Sequence, residues 1–208
     1  MAAQSTLRNM VLCLTGVCLV CAAILGGIYA LTFEPIRQAN ENILKASLSA
    51  VLPEGVEIGA AETAAADGYS YEYYPAMKDG EAVAYAVKST TIGFGGPLSL
   101  MVGVLKDGTV FNTSVLACTE TPGLGAKCQE EGSHFRTQFQ GFAPDKSLKV
   151  TKDGGDVDAI TASTITSRAY TLAVSNAVAL VAWLSGQAAG VDSSTGASQT
   201  HEEQKKEE

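Results

Sequence analysis

The residues best suited to chemistry lie in one stretch, 158–167, where Asp158 is followed by Thr161, Ala162, Ser163, Thr164, Ile165, Thr166 and Ser167. Residues 168–183 are rich in Ala, Val and Leu and contain no Gly or Pro, so a helix is predicted to begin inside the hydroxyl cluster. Thr164 then stands at a helix start. The open backbone N–H groups and positive dipole end of such a start suit a phosphate. The simpler reading is that these hydroxyls cap the helix by accepting hydrogen bonds from first-turn amides.

Two loops carry glycines that allow close approach of a flat ligand: Gly93, Phe94, Gly95, Gly96, Pro97 and Leu98, and Glu120, Thr121, Pro122, Gly123, Leu124 and Gly125. Taken alone, each can equally be a turn. In order along the chain, the two loops and the Asp158 to Thr164 stretch resemble the G subunit of Rnf ion-translocating oxidoreductases and the similar C subunit of sodium-pumping NADH:quinone reductases. The second loop matches that family's Glu-Thr-Pro-Gly-Leu-Gly, and the first its Gly-aromatic-Gly segment. The attachment motif usually reads Ser/Thr-Gly-Ala-Thr; here Ala162 and Ser163 fill the middle and remain small.

The resemblance runs from the N-terminal apolar segment to about Trp183. It implies FMN joined through its phosphate to Thr164 as a phosphoester by a flavin transferase, with Asp158 helping the transferase recognise its target. It also implies ring contacts from Thr121, Gly123, Leu124 and Gly125, with residues 93–98 on another side and Thr161, Ala162, Ser163, Ile165 and Thr166 around the attachment point. Glu120 would either hold the loop through a hydrogen bond or, beside the ring, disfavour further negative charge on it, and Lys127 would do the reverse.

These residues need a scaffold. Between Arg8 and Glu34 no residue is charged, a span long enough to cross the roughly 30 Å hydrocarbon core of a bilayer. A cleaved signal peptide fits less well, because its apolar core would be shorter and would end at a small-x-small site that is not clear before Phe33-Glu34. The division expected is a cytoplasmic N-terminus at 1–8, a transmembrane helix at 9–33, a stalk helix at 34–53 with Pro35 in its first turn, an FMN-binding domain at 54–184 and a disordered tail at 185–208. Arg8 on one side, and Glu34, Arg37 and Glu41 on the other, favour a cytoplasmic N-terminus and an extracytoplasmic domain.

Within that domain, residues 54–68 read as a surface connection. Period-two segments flank Lys78-Asp79-Gly80 and Lys106-Asp107-Gly108, two hairpin signals that predict an antiparallel sheet. A helix over 127–139, with His134 on its polar face, and strands over 148–150 and 157–160 complete the expectation. The tyrosines of 69–74 suit a strand surface or core as well as ring stacking. The fold class is α+β.

The net charge of −8 and pI near 4.8 argue against nucleic acid or an anionic membrane surface as partner. Cys13, Cys18 and Cys21 lie in the apolar segment and read as small packing residues. Cys118 and Cys128 bracket the second loop and are either a disulfide or two free thiols; with His134 they lack a zinc spacing, so no metal is expected. Neither a hydrolytic triad nor a dinucleotide-binding glycine fingerprint is present. The expectation is an electron-relay subunit with no substrate turnover of its own, carrying covalent FMN in a membrane complex that couples ferredoxin:NAD electron transfer to Na⁺ or H⁺ translocation. Its partners would be the other subunits and, during maturation, the flavin transferase. The alternatives are the C-type subunit, a stand-alone extracytoplasmic flavoprotein, and a non-redox anchored scaffold.

Overall fold

The computed structural model describes residues 7–66 and 69–186. The expected tail falls outside these residues except for Ser185 and Gly186, which close the last helix. The chain divides into two units, one ending at Ile43 and one beginning at Leu44. In the first, helix α1 (Leu7–Val51) begins and carries the stretch long and apolar enough to cross a membrane. Pro35 lies inside this helix, not in a first turn as expected from sequence. Its ring costs the helix one backbone hydrogen bond, and the Arg37 guanidinium, paired with Glu34 at 2.6 Å and Glu41 at 2.7 Å, spans the turn that follows.

The second unit is built on an antiparallel sheet of β1 (Glu57–Ile58), β2 (Glu62–Ala66), β3 (Tyr69–Lys78), β4 (Glu81–Ile92), β5 (Pro97–Leu105) and β6 (Val110–Cys118). Its order is β1-β3-β4-β5-β6, with β2 also paired to β3. The hairpins at Asp79-Gly80 and Asp107-Gly108 form as predicted; Asp79 and Gly80 both have positive φ, which matches the right-handed twist of the flanking strands. The 54–68 segment is not a bare connection: it supplies β1 and β2. Both pair with the edge of β3 that β4 leaves open, because unpaired strand edges recruit whatever backbone lies near them.

Alternation along the strands, shifted at irregularities in β3 and β5, gives the sheet two buried faces. One receives helix α3 (Thr164–Leu184), whose Tyr170, Ala173, Val174, Ala177, Leu180 and Val181 pack with Val87, Leu98, Leu100, Val102 and Val104. Tyr71 and Tyr73 belong to this core as well, so their role is packing. The other face receives the end of α1, with Leu48, Val51 and Leu52 against Tyr74, Ala76, Ala84, Ala86 and Met101.

The predicted helix over 127–139 is replaced by a 3-10 turn (Gly125–Gln129) and a four-residue helix α2 (His134–Thr137), separated by a bend at Gly132 with φ 76°. Phe135 and Phe139 are drawn onto Tyr170, each ring 5.1 Å from it, and aromatic packing overrides the helical period there. His134 is exposed. The strands expected at 148–150 and 157–160 reduce to a single parallel bridge, Val150 to Val157, around a 3-10 turn (Thr151–Asp153). Two bridge residues across a tight turn leave no length for a ladder.

Candidate functional site

Three segments meet at one end of the sheet around a cavity of about 380 Å³: the β4–β5 loop, the segment after β6, and the start of α3. The lining is Phe94, Glu120, Thr121, Leu124, Gly125, Ala162, Ser163, Thr164, Ile165 and Thr166. The helix start is made by a turn in which the Ser163 amide donates to the Ile160 carbonyl at 3.0 Å and Ala162 adopts φ 62°. Ser167, fully buried, clasps this turn. Its hydroxyl accepts from the Ile160 amide and donates to the Ser163 carbonyl, both at 2.9 Å.

Ser163 occupies the N-cap position, yet its side chain makes no cap hydrogen bond; its Oγ is buried with no partner. Among the described residues, the amides of Thr164, Ile165 and Thr166 also lack acceptors. A hydroxyl cluster serving only as a cap would satisfy these donors. Left open beside a cavity, such donors at a helix start suit an anion.

Opposite, Glu120 is 7% exposed and its Oε1 has no hydrogen-bond partner. The carboxylate lies so close over Gly93 and Gly125 that any Cβ at either position would run into it. The loop above is tight: the Gly93 amide donates to the Gly96 carbonyl at 2.9 Å, and Thr119 Oγ1 donates to the Gly95 carbonyl at 3.2 Å. Phe94 (73% exposed) and Leu124 (45%) present apolar faces at the rim, which suits a planar aromatic ring.

Other residues expected at the site take different places. Gly93, Gly95 and Gly96 shape the loop without lining the cavity, Pro97 opens β5, and Leu98 turns fully into the core. Gly123, Lys127 and Thr161 are exposed outside the lining. Asp158 is also outside it: Gln138 holds its backbone from both sides, accepting from the Asp158 amide at 2.8 Å and donating to its carbonyl at 3.0 Å, while the residue stays exposed. Cys118 and Cys128 are free thiols with Sγ atoms 3.8 Å apart. Burial, and then the neighbouring Cys118, push the Cys128 thiol up. Among the described residues no cluster of metal-ligating side chains is found.

The structure adds residues that sequence reading did not single out. Lys152 Nζ donates to Thr164 Oγ1 at 3.3 Å. Arg168 holds Asp153 through two hydrogen bonds, of 2.8 and 2.6 Å. Gln138 fixes the backbone at Asp158 and Ser167 that at Ile160, so both ends of the segment leading into α3 are held.

Open amides, unpartnered buried oxygens and an apolar rim around a cavity of this size fit a flat, phosphate-bearing cofactor, and the FMN-binding domain family matches residues 93–179. The class is thus an FMN-binding domain with an N-terminal apolar helix. The chain is 34% identical over 174 residues to the G subunit of the ion-translocating oxidoreductase complex of Shewanella baltica, covering 77% of this chain and 82% of that one. It is 30% identical over 176 residues to the G subunit of the proton-translocating ferredoxin:NAD(+) oxidoreductase complex of Clostridium ljungdahlii, covering 83% and 90%. Among solved structures it is similar to the C subunit of the Na(+)-translocating NADH-quinone reductase of Parabacteroides distasonis, with 26% identity, a TM-score of 0.39, and 56% and 60% of the two chains covered. The chain belongs to the G-subunit family of ion-translocating oxidoreductase complexes.

Proposed function

We propose that this chain carries FMN as a phosphoester on Thr164 and relays electrons between other subunits of a membrane complex that couples ferredoxin:NAD electron transfer to Na⁺ or H⁺ translocation. It is an electron-transfer subunit of an ion-translocating oxidoreductase complex, anchored by one apolar helix. The observation that carries the covalent reading is the helix start itself. Thr164 presents its hydroxyl at a cavity where three amides and the Ser163 hydroxyl stand without partners. In forming the linkage, the Thr164 oxygen makes a new O–P bond. The anhydride bond of a flavin dinucleotide breaks, a nucleoside monophosphate leaves with the electron pair, and the hydroxyl proton passes to a base on the transferase.

When bound, FMN supplies one- and two-electron transfer, which needs no acid or base from the protein. The chain's own work is to hold and tune. The amides of 164–166 would hold the phosphate, Phe94 and Leu124 would contact the ring, and the buried Glu120 carboxylate would disfavour negative charge on it. Asp158, exposed with its backbone clamped, is available for recognition by the transferase. The cytoplasmic N-terminus and extracytoplasmic domain follow from the few flanking charges. A covalent tether suits that side of the membrane, where lost FMN is not readily replaced.

The test is peptide mass spectrometry on the full-length membrane protein from cells containing an active flavin transferase. An FMN phosphoester on Thr164 is expected, and Thr164→Ala should give a folded, membrane-bound protein without covalent flavin. Covalent flavin retained in that variant, or an unmodified Thr164 peptide alongside a modified control protein, would overturn the reading.

A further inference from the structure

We infer that Lys152 is the cationic partner of the flavin phosphate at Thr164, held in place by the Arg168–Asp153 ion pair; this rests on the proposal that Thr164 carries the flavin. Lys152 sits in the 3-10 turn Thr151–Asp153, twelve residues before Thr164, and its ammonium reaches the Thr164 hydroxyl oxygen at 3.3 Å. That approach is anchored by its neighbour. Asp153 is gripped by the Arg168 guanidinium at 2.6 and 2.8 Å, with side chains only 19% and 11% exposed. Arg168 lies four residues beyond Thr164 in α3, hence on the same helix face one turn further on. The ion pair therefore ties the turn that bears Lys152 to the face that bears Thr164.

Lys152 also differs from its neighbours in charge balance. The Arg168 and Asp153 charges cancel, whereas among the described residues no carboxylate lies within ion-pair distance of Lys152. One uncompensated positive charge thus stands beside the hydroxyl in a chain whose net charge is −8. A phosphoester linking Thr164 to the flavin brings one negative charge to that place. Before attachment, the ammonium occupies one lone pair of the Thr164 oxygen and stabilises negative charge as the hydroxyl proton leaves. Afterwards, its N–H donors would be within reach of the phosphate attached to that oxygen. Lys152 is exposed, so its removal should not disturb folding.

The experiment uses the full-length chain in detergent, a purified flavin transferase and a flavin dinucleotide as donor. Three readouts are taken for wild type, Lys152→Gln and Lys152→Arg: the initial rate of phosphoester formation at Thr164 by mass spectrometry, the ³¹P resonance of the attached phosphate, and the melting temperature. Because the contact is exposed and screened by salt, Lys152→Gln should slow attachment about threefold to tenfold at low salt and less at high salt. It should also move the ³¹P resonance, with the melting temperature unchanged, and Lys152→Arg should stay near wild type in all three. A slower rate with an unmoved resonance would assign Lys152 to transferase contact and overturn the inference, as would an unchanged rate. Wild type that takes no flavin on Thr164 would instead refute the parent reading, and the role of Lys152 would fall with it.

Discussion

At the scale of single residues, the site is defined by groups in unfavourable states. Ala162 adopts φ 62°, a region that costs an L-residue roughly 1–2 kcal/mol because its Cβ crowds the following carbonyl. The third residue of a turn with positive φ there is ordinarily Gly, which accounts for the Gly of the resembled attachment motif at this position. The strain persists because Ser167 clasps the turn from both ends. Ala162→Gly should therefore raise the stability of the full-length protein by about 1 kcal/mol in denaturant melts, without preventing the flavin attachment proposed at Thr164. An unchanged midpoint would show that the turn stores no strain. Ser163 and Glu120 add to this pattern, since each keeps a buried oxygen without a partner at a cost of about 1–3 kcal/mol. A fold tolerates such states where a ligand supplies the missing contacts.

At the scale of elements, close approach explains what propensity does not. The last turn of α1 rests on β5 at Gly103, and a Cβ there would overlap the Val51 backbone carbonyl oxygen. Gly103→Ala should force that turn off the sheet and cost about 1–3 kcal/mol as overpacking. Thermal melting would show the loss, and faster hydrogen exchange at Leu48 and Val51 would locate it; a wild-type melting temperature would mean that the turn shifts freely. Elements with strong local signals were legible in the sequence: β3 to β6 through period-two alternation and Asp-Gly turns, and α3 through a run free of Gly and Pro. The short strands β1 and β2 were not, because they borrow their hydrogen bonds from β3 and the Ala-rich segment has little strand preference of its own. The helix read over 127–139 failed where ring packing on Tyr170 sets the backbone. At the site, contiguous segments could be read, whereas Lys152, Asp153 and Gln138 act across 12 to 20 residues of chain and leave no periodic trace.

At the scale of the whole molecule, the sheet of the second unit is covered on both faces, and its interior protons report on that cover. Tyr170 is fully buried beneath the sheet, its hydroxyl donating to Thr113 Oγ1 at 2.8 Å, and burial pushes its phenol up to about 12. Tyr73 and Tyr74 are also raised to about 12, the first mainly by its hydrogen bond to Glu62 and the second mainly by burial. A phenol whose folded pKa exceeds its unfolded value near 10 holds its proton more tightly when folded. Its contribution is therefore complete below pH 10 and is lost as pH rises through 12. For Tyr170 a shift of this size corresponds to about 2–3 kcal/mol across that window. Cys128, also raised, starts the decline earlier, above the ordinary thiol range. Denaturant melts of the full-length protein, followed by circular dichroism, should show stability falling steeply between pH 10 and 12. Tyr170→Phe should cost about 1 kcal/mol at pH 7 through the lost hydrogen bond, yet flatten the alkaline decline, because the variant has no proton to lose at that position. Parallel pH profiles for the two proteins would mean that the alkaline loss arises elsewhere and that the helix α3 face of the core admits water.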